Sequence, residues 1–182
     1  MIWYTDRQQE SAFSPILAKS QTNIKSLEGS KMKKFFALVA GLSIALAVFA
    51  ETLPYDEAAD AKAGINQALS TARHDSKQVL LVFGANWCKD CRELDKALHG
   101  KSQALIDGKF VVVKVDVGNF DKNLDLANAY GNPIKKGIPA AVLLTAENKV
   151  LYSTKGGELA DARSMGENGI YDFFNAVVKN NP

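Results

Sequence analysis

Metal-binding side chains are scarce in this sequence. Its 182 residues include two cysteines, Cys88 and Cys91, and two histidines, His74 and His99. A structural zinc site takes about four such ligands, so no zinc site is expected. Binding or delivery of Cu(I) by the two sulfurs alone stays open as an alternative. Both histidines are expected to be solvated residues near helix ends.

An apolar run long enough to span a bilayer is also missing. The longest run, 35–50, has 16 residues, whereas a spanning helix needs roughly 18 to 20. Two lysines precede it and small residues end it, which is typical of a secretory signal peptide. We therefore predict a signal peptide at 32–50 with cleavage after Ala50; an uncleaved membrane anchor is the alternative. No cysteine lies near that point to carry a lipid anchor.

The polar residues 1–31 have no hydrophobic pattern. We expect them to be an untranslated or disordered leader, followed by the signal peptide and one domain at 51–182. The expected location of that domain is the periplasm or another exported compartment. No stable membrane insertion is expected after the signal peptide is cleaved.

An excess charge of one sign is absent from the mature segment. Six of the 22 basic and three of the 20 acidic residues precede residue 51, which leaves 16 basic against 17 acidic residues. Such a balance gives no electrostatic reason to expect nucleic acid as a partner. The composition, 47% hydrophobic and 23% charged, is that of a globular protein.

The mature segment alternates between helical and strand-like hydrophobic patterns. Helical spacing is predicted at 55–73, 92–98, 102–107, 124–130 and 170–178, and strands at 79–83, 110–117, 140–144 and 150–154. The strand, helix, strand order favours parallel pairing, and the last two strands are close enough for a hairpin. We predict an α/β fold with a mixed central sheet flanked by helices on both faces.

Both cysteines lie in the stretch GANWCKDCREL, between a buried strand and a helix. At the helix start, free N–H groups and the helix dipole favour a thiolate on Cys88. Cys91 lies one turn later, within disulfide reach. This spacing favours a redox pair in which the solvent-facing Cys88 attacks and the shielded Cys91 resolves the mixed disulfide. An inert structural disulfide remains the alternative.

The two residues between the cysteines are expected to tune the thiolate. Lys89 stabilises an anion on Cys88, whereas Asp90 and the acidic residues after it oppose one. The net direction stays open at this point. A strong oxidant needs a strongly stabilised thiolate, so the acidic residues favour a reductase over an oxidase.

The run VLLVFGANWCKDC, together with GIPA at 137–140, resembles the thioredoxin superfamily. The resemblance covers most of 55–180, and the nearest likeness is to exported bacterial thioredoxin-like proteins. It implies a thioredoxin-like fold. It also implies a periplasmic thiol–disulfide oxidoreductase, more of the reductase type, that acts on protein disulfides, needs no cofactor and exchanges electrons with a redox partner protein.

The resemblance also assigns roles to individual residues. Cys88 and Cys91 would be the catalytic pair, with a cis peptide bond at Pro139 beside them. The backbone of Ile138 would bind an extended substrate peptide. Trp87 would flank the site as an apolar platform, with plain packing at the strand end as the alternative. A binding module that docks a partner near Pro139, with a passive disulfide, is the competing function.

One feature of the family is missing from the motif. A buried aspartate often precedes it, and Val82 occupies that position. The lysine that accompanies the aspartate on the next strand is expected to be replaced by Val112, so that no unpaired charge is buried. The proton route for Cys91 is thereby left unassigned.

Overall fold

The structure is a computed structural model that describes residues 52–182. The predicted leader and signal peptide therefore lie outside the described residues. The elements follow one another as α1 (Ala61–Asp75), β1 (Gln78–Gly84), α2 (Lys89–His99), α3 (Gln103–Lys109), β2 (Phe110–Asp116), α4 (Leu124–Ala129), a 3-10 helix (Pro133–Lys136), β3 (Ala140–Leu144), β4 (Val150–Ser153) and α5 (Ala162–Asn180). No helix within this part of the chain is long and apolar enough to cross a bilayer.

The four strands form one mixed sheet in the order β2, β1, β3, β4. Strand β1 runs parallel to β2 and antiparallel to β3, and β3 pairs antiparallel with β4. Apolar residues of α1 and α4 pack on one face, and those of α2, α3 and α5 pack on the other. The predicted α/β fold with helices on both faces is confirmed. Because both faces are covered, β1 is an unbroken apolar run.

The first helix begins later than its hydrophobic spacing predicts. It starts at Ala61, because the Asp60 side chain accepts a hydrogen bond from the Ala63 N–H at 3.0 Å and caps the helix there. The prediction of a helix from residue 55 is wrong. Tyr55 instead lies in the irregular segment before the helix and is buried.

Helix α5 contains one interruption, at Gly166, where φ is 61° and ψ is 177°. This left-handed backbone conformation is one that glycine adopts at little cost. The apolar residues after the interruption cover the sheet, and the short turn before it carries Arg163. The interruption therefore separates the longer part of α5, which covers the sheet, from the first turn, which buries Ala162 and carries the Arg163 that contacts Asp90.

Candidate functional site

Cys88 and Cys91 are joined by a disulfide where β1 ends and α2 begins, with their Cα atoms 5.2 Å apart. Cys88 is the N-cap residue of α2, and its Sγ accepts a hydrogen bond from the Cys91 backbone N–H at 3.1 Å. After reduction, the same N–H and the positive end of the helix dipole would stabilise a thiolate on Cys88. The pair therefore has the geometry for reversible thiol–disulfide exchange.

The two sulfurs differ in exposure less than the sequence predicts. Cys88 is 6% exposed and Cys91 is 1% exposed. Cys91 is the more shielded, but Cys88 does not face solvent freely. The Ile138 carbonyl oxygen lies 3.7 Å from the Cys88 sulfur and covers part of it.

The segment before β3 forms one wall of the site. The peptide bond between Ile138 and Pro139 is cis, as the resemblance implies, and both residues are buried. The segment directs the Ile138 carbonyl toward Cys88. An extended peptide whose disulfide reaches Cys88 would therefore lie next to the Ile138 backbone.

Trp87 lies on the open side of the site and is 56% exposed. Its Nε1–H donates to the Gly118 carbonyl at 2.8 Å, and its ring packs against Phe120 with centroids 6.2 Å apart. Phe120 is exposed as well. The two aromatic rings form an exposed apolar surface next to Cys88. Sequence reasoning missed Phe120; its only signal was an aromatic residue in the loop after a strand.

Asp90, between the cysteines, is paired with Arg163 of α5. Its Oδ1 accepts from the Arg163 backbone N–H at 3.0 Å and from Nε at 3.1 Å, and its Oδ2 accepts from Nη2 at 3.1 Å. The Arg163 side-chain hydrogen bonds hold the pKa of Asp90 below its usual value. The Arg163 guanidinium thus offsets the negative charge of Asp90, which was expected to oppose a thiolate on Cys88. Lys89, the other residue between the cysteines, is exposed.

We expect Arg163→Gln to raise the pKa of the Cys88 thiol by about half a unit, because Asp90 would keep its charge without a compensating cation. The pH dependence of Cys88 alkylation in the reduced protein measures this. Arg73→Gln, at the other end of β1, is the matched control. An unchanged thiol pKa in Arg163→Gln would contradict the electrostatic role.

The same pair predicts a pH-dependent contribution to stability. Because the pKa of Asp90 is lowered in the folded protein, the contribution is present above the ordinary carboxyl pKa and lost as pH falls through the folded value. The difference in unfolding free energy between wild type and Arg163→Gln should therefore be larger at pH 7 than at about pH 3, which lies below the ordinary carboxyl pKa. Urea unfolding at both pH values measures it.

The register between β1 and β2 corrects one prediction. Val82 pairs with Lys114, whereas Val112 pairs with Leu80. A lysine therefore does lie beside the position of the missing acid, and the prediction of its replacement by Val112 is wrong. Lys114 forms an ion pair with Asp95 of α2, one turn after Cys91. Burial lowers the pKa of Lys114 to about 8.

Tyr55 is a further residue at the site that the sequence did not indicate. Its backbone N–H donates to Asn86 Oδ1 at 3.0 Å, and Asn86 Nδ2 donates back to the Tyr55 carbonyl at 2.9 Å. Its ring lies 5.7 Å from Lys114 Nζ. A Cβ atom at Gly84 would overlap the Tyr55 hydroxyl and lie 2.9 Å from Cys91 Sγ. The Tyr55 hydroxyl and the Cys91 sulfur therefore both lie close to the Gly84 backbone.

The histidines lie where the sequence predicts them. His74 and His99 are in the last turns of α1 and α2, and their side chains are 89% and 70% exposed. Within 52–182, no three His, Cys, Asp or Glu side chains come together as possible ligands of a metal ion.

Comparison with solved structures finds several proteins that are similar to this chain. A disulphide isomerase from Xylella fastidiosa Temecula1 is 57% identical, with 71% of this chain and 99% of that chain covered and a TM-score of 0.69. A mutant thioredoxin from Halobacterium salinarum NRC-1 is 28% identical, with 60% and 81% covered and a TM-score of 0.40. The oxidised DsbD C-terminal domain of Neisseria meningitidis is 22% identical, with 66% and 96% covered and a TM-score of 0.43.

Among curated proteins, none matches the sequence significantly. A family model described as thioredoxin-like matches residues 60–146, which include the whole of β1, the cysteine pair and the cis proline. Taken with the fold and the 57% identity over nearly the full length of a solved structure, this match shows that the chain belongs to the thioredoxin-like family.

Proposed function

We propose that the protein is a thiol–disulfide oxidoreductase that reduces disulfides in other proteins through Cys88 and Cys91. The observation that carries the proposal is the position of Cys88 as the N-cap of α2, with its sulfur accepting the Cys91 N–H and lying beside the Ile138 carbonyl. A thiolate is stabilised there, and an extended peptide has backbone to pair with.

The reaction takes two exchange steps. The Cys88 thiolate attacks one sulfur of the substrate disulfide, forms a mixed disulfide and releases the other substrate sulfur as a thiolate, which takes a proton from solvent. Cys91 then loses its proton and attacks Cys88 Sγ, which releases the second substrate sulfur. The protein dithiol is oxidised to the disulfide seen here, and the substrate disulfide is reduced to two thiols.

The reductive direction is supported by the moderate stabilisation of the Cys88 thiolate. One backbone N–H donates to its sulfur, and Arg163 offsets the charge of Asp90 without reversing it. Strongly oxidising pairs owe their potential to a far more stabilised reduced form. We propose the exported compartment, the periplasm in a bacterium, as the place of action, because the signal pattern at 32–50 precedes the domain.

Disulfide isomerisation is the second candidate, favoured by the 57% identical protein whose structure is titled a disulphide isomerase. Isomerisation uses the same first step. The Cys88 thiolate attacks a wrong disulfide, and a substrate thiol, instead of Cys91, then displaces it. A reductase therefore needs Cys91, whereas an isomerase can turn over without it.

The test compares insulin reduction with reactivation of scrambled ribonuclease, for wild type, Cys88→Ser and Cys91→Ser. We expect wild type to reduce insulin and both variants to be inactive. Reactivation that persists in Cys91→Ser, without insulin reduction by wild type, would favour the isomerase. Equal activity of wild type and Cys88→Ser would overturn both. A reduction potential well below about −300 mV, compared with about −270 mV for thioredoxin, would favour the binding module with a passive disulfide.

A further inference from the structure

Cys91 needs a proton acceptor that the motif does not supply. Its thiol is 1% exposed, and only a thiolate attacks a disulfide at a useful rate. The position on β1 where the family often has a buried aspartate is occupied by the apolar Val82, which cannot accept a proton. The acceptor must therefore come from the other groups packed around the Cys91 sulfur.

Titratable side chains of the elements around this region include four that are half-buried or buried. Tyr55 comes from the segment before α1, Asp95 comes from α2, and Lys114 and Asp116 come from β2. Asp95 and Lys114 are joined by a hydrogen-bonded ion pair, whereas Asp116 Oδ2 accepts no hydrogen bond from the described residues. Tyr55 and Asp116 remain as the pair that could move a proton.

Tyr55 lies close to Cys91 and interacts with the charge of Asp116. The tyrosine hydroxyl and the Cys91 sulfur both lie within 3 Å of the place that a Cβ atom of Gly84 would occupy, and Asp116 is the residue paired with Gly84 in the parallel register. The backbone of Tyr55 is held in place, because its N–H and its carbonyl are both bonded to Asn86. Burial, and then the Asp116 carboxylate, raise the pKa of Tyr55 above its usual value. The phenol therefore stays protonated and can pass a proton on.

Asp116 has the features of a buried acceptor with an outlet. It is 6% exposed, and within the described part of the chain its Oδ2 has no hydrogen-bond partner. Oδ2 forms an ion pair with Lys122 Nζ at 3.4 Å. Lys122 is itself largely exposed. The Asp116 carboxylate can therefore accept a proton inside the protein, and the Lys122 side chain beside it is in contact with solvent.

We propose that the proton of the Cys91 thiol leaves through the Tyr55 hydroxyl to the Asp116 carboxylate when Cys91 attacks the mixed disulfide. The S–H bond breaks, its proton binds the tyrosine oxygen, and the tyrosine's own proton passes to Asp116. The electron pair left on Cys91 forms the bond to Cys88 Sγ, and the departing substrate thiolate takes the pair of the broken disulfide. Asp116 then returns the proton to solvent beside Lys122. This inference rests on the proposed function.

The test measures the two exchange steps separately, in the full chain. Reduced protein is mixed with a disulfide-bonded peptide, quenched with acid at successive times, and analysed by intact mass for the Cys88 mixed disulfide. We expect Tyr55→Phe and Asp116→Asn to form it at the wild-type rate and to resolve it about 10²-fold more slowly. Tyr171→Phe, on α5, is the matched control and should resolve it like wild type.

A pH series separates proton transfer from a structural role. Solvent hydroxide must deprotonate the buried thiol in the two variants, so their resolution rate should rise about tenfold per pH unit, while the wild-type rate changes far less. If both variants resolve the mixed disulfide at the wild-type rate, the proton route is overturned while the proposed function stands. If wild type forms no mixed disulfide through Cys88, the proposed function itself fails.

Discussion

Gly84→Ala should destabilise the oxidised protein by about 1 to 3 kcal/mol, which is the usual cost of overfilling a packed core. The added Cβ would overlap the Tyr55 hydroxyl and press on Cys91 Sγ. Neither neighbour can withdraw easily, since Tyr55 is bonded to Asn86 on both sides of its Cα and Cys91 is held in the disulfide. Urea unfolding of the oxidised protein measures the change.

Gly64→Ala is the matched control for that substitution. Gly64 lies inside α1, and a Cβ there meets only the Val113 Cγ1 atom, at 3.8 Å. Alanine is a better helix former than glycine by about 1 kcal/mol, so this variant should be more stable than wild type. Two alanine variants of equal stability would show that the space around Gly84 is larger than the structure indicates.

The second large effect is expected from Cys91→Ser, which should hold substrate proteins as long-lived mixed disulfides on Cys88. The serine hydroxyl is not a nucleophile toward a disulfide, so the intramolecular release step is lost. The complexes should survive non-reducing gel electrophoresis of cell extracts and disappear with dithiothreitol. Mass spectrometry of the captured proteins would identify the substrates and the electron donor.

The double variant Cys88→Ser and Cys91→Ser is the control for capture. It keeps the fold and the Trp87 surface and lacks the attacking sulfur, so any protein that it retains is bound without a covalent link. Capture by the double variant and not by Cys91→Ser would contradict a covalent role of Cys88 and favour docking alone. Fractionation of the same cells tests the proposed exported location.

Local patterns in the sequence were sufficient for the architecture. The apolar run of β1, the helical spacing after it and the hairpin spacing near the end gave the sheet and its cover, because hydrophobic periodicity is imposed by burial. The wrong prediction that Val112 replaces the lysine also comes from relying on the hydrophobic pattern alone. Residues two apart project to the same face of a strand, so a register displaced from Lys114 to Val112 leaves the hydrophobic pattern unchanged.

The residues that sequence reasoning missed act through contacts distant along the chain. Arg163 reaches Asp90 across 73 positions, and Tyr55 meets Asn86 across 31. The hydrophobic periodicity of a helix or strand shows which of its own faces is buried. It contains no information on which loop or terminus packs against that face. Tyr55 was also hidden because its spacing continued that of α1, and only the Asp60 cap excludes it from the helix.

The two hydrogen bonds between Tyr55 and Asn86 also tie the redox centre to the beginning of the folded domain. Asn86 lies two residues before Cys88, so the start of the domain is clamped directly onto the loop that presents the reactive sulfur. A displacement of residue 55 would therefore be transmitted to the loop that carries Cys88.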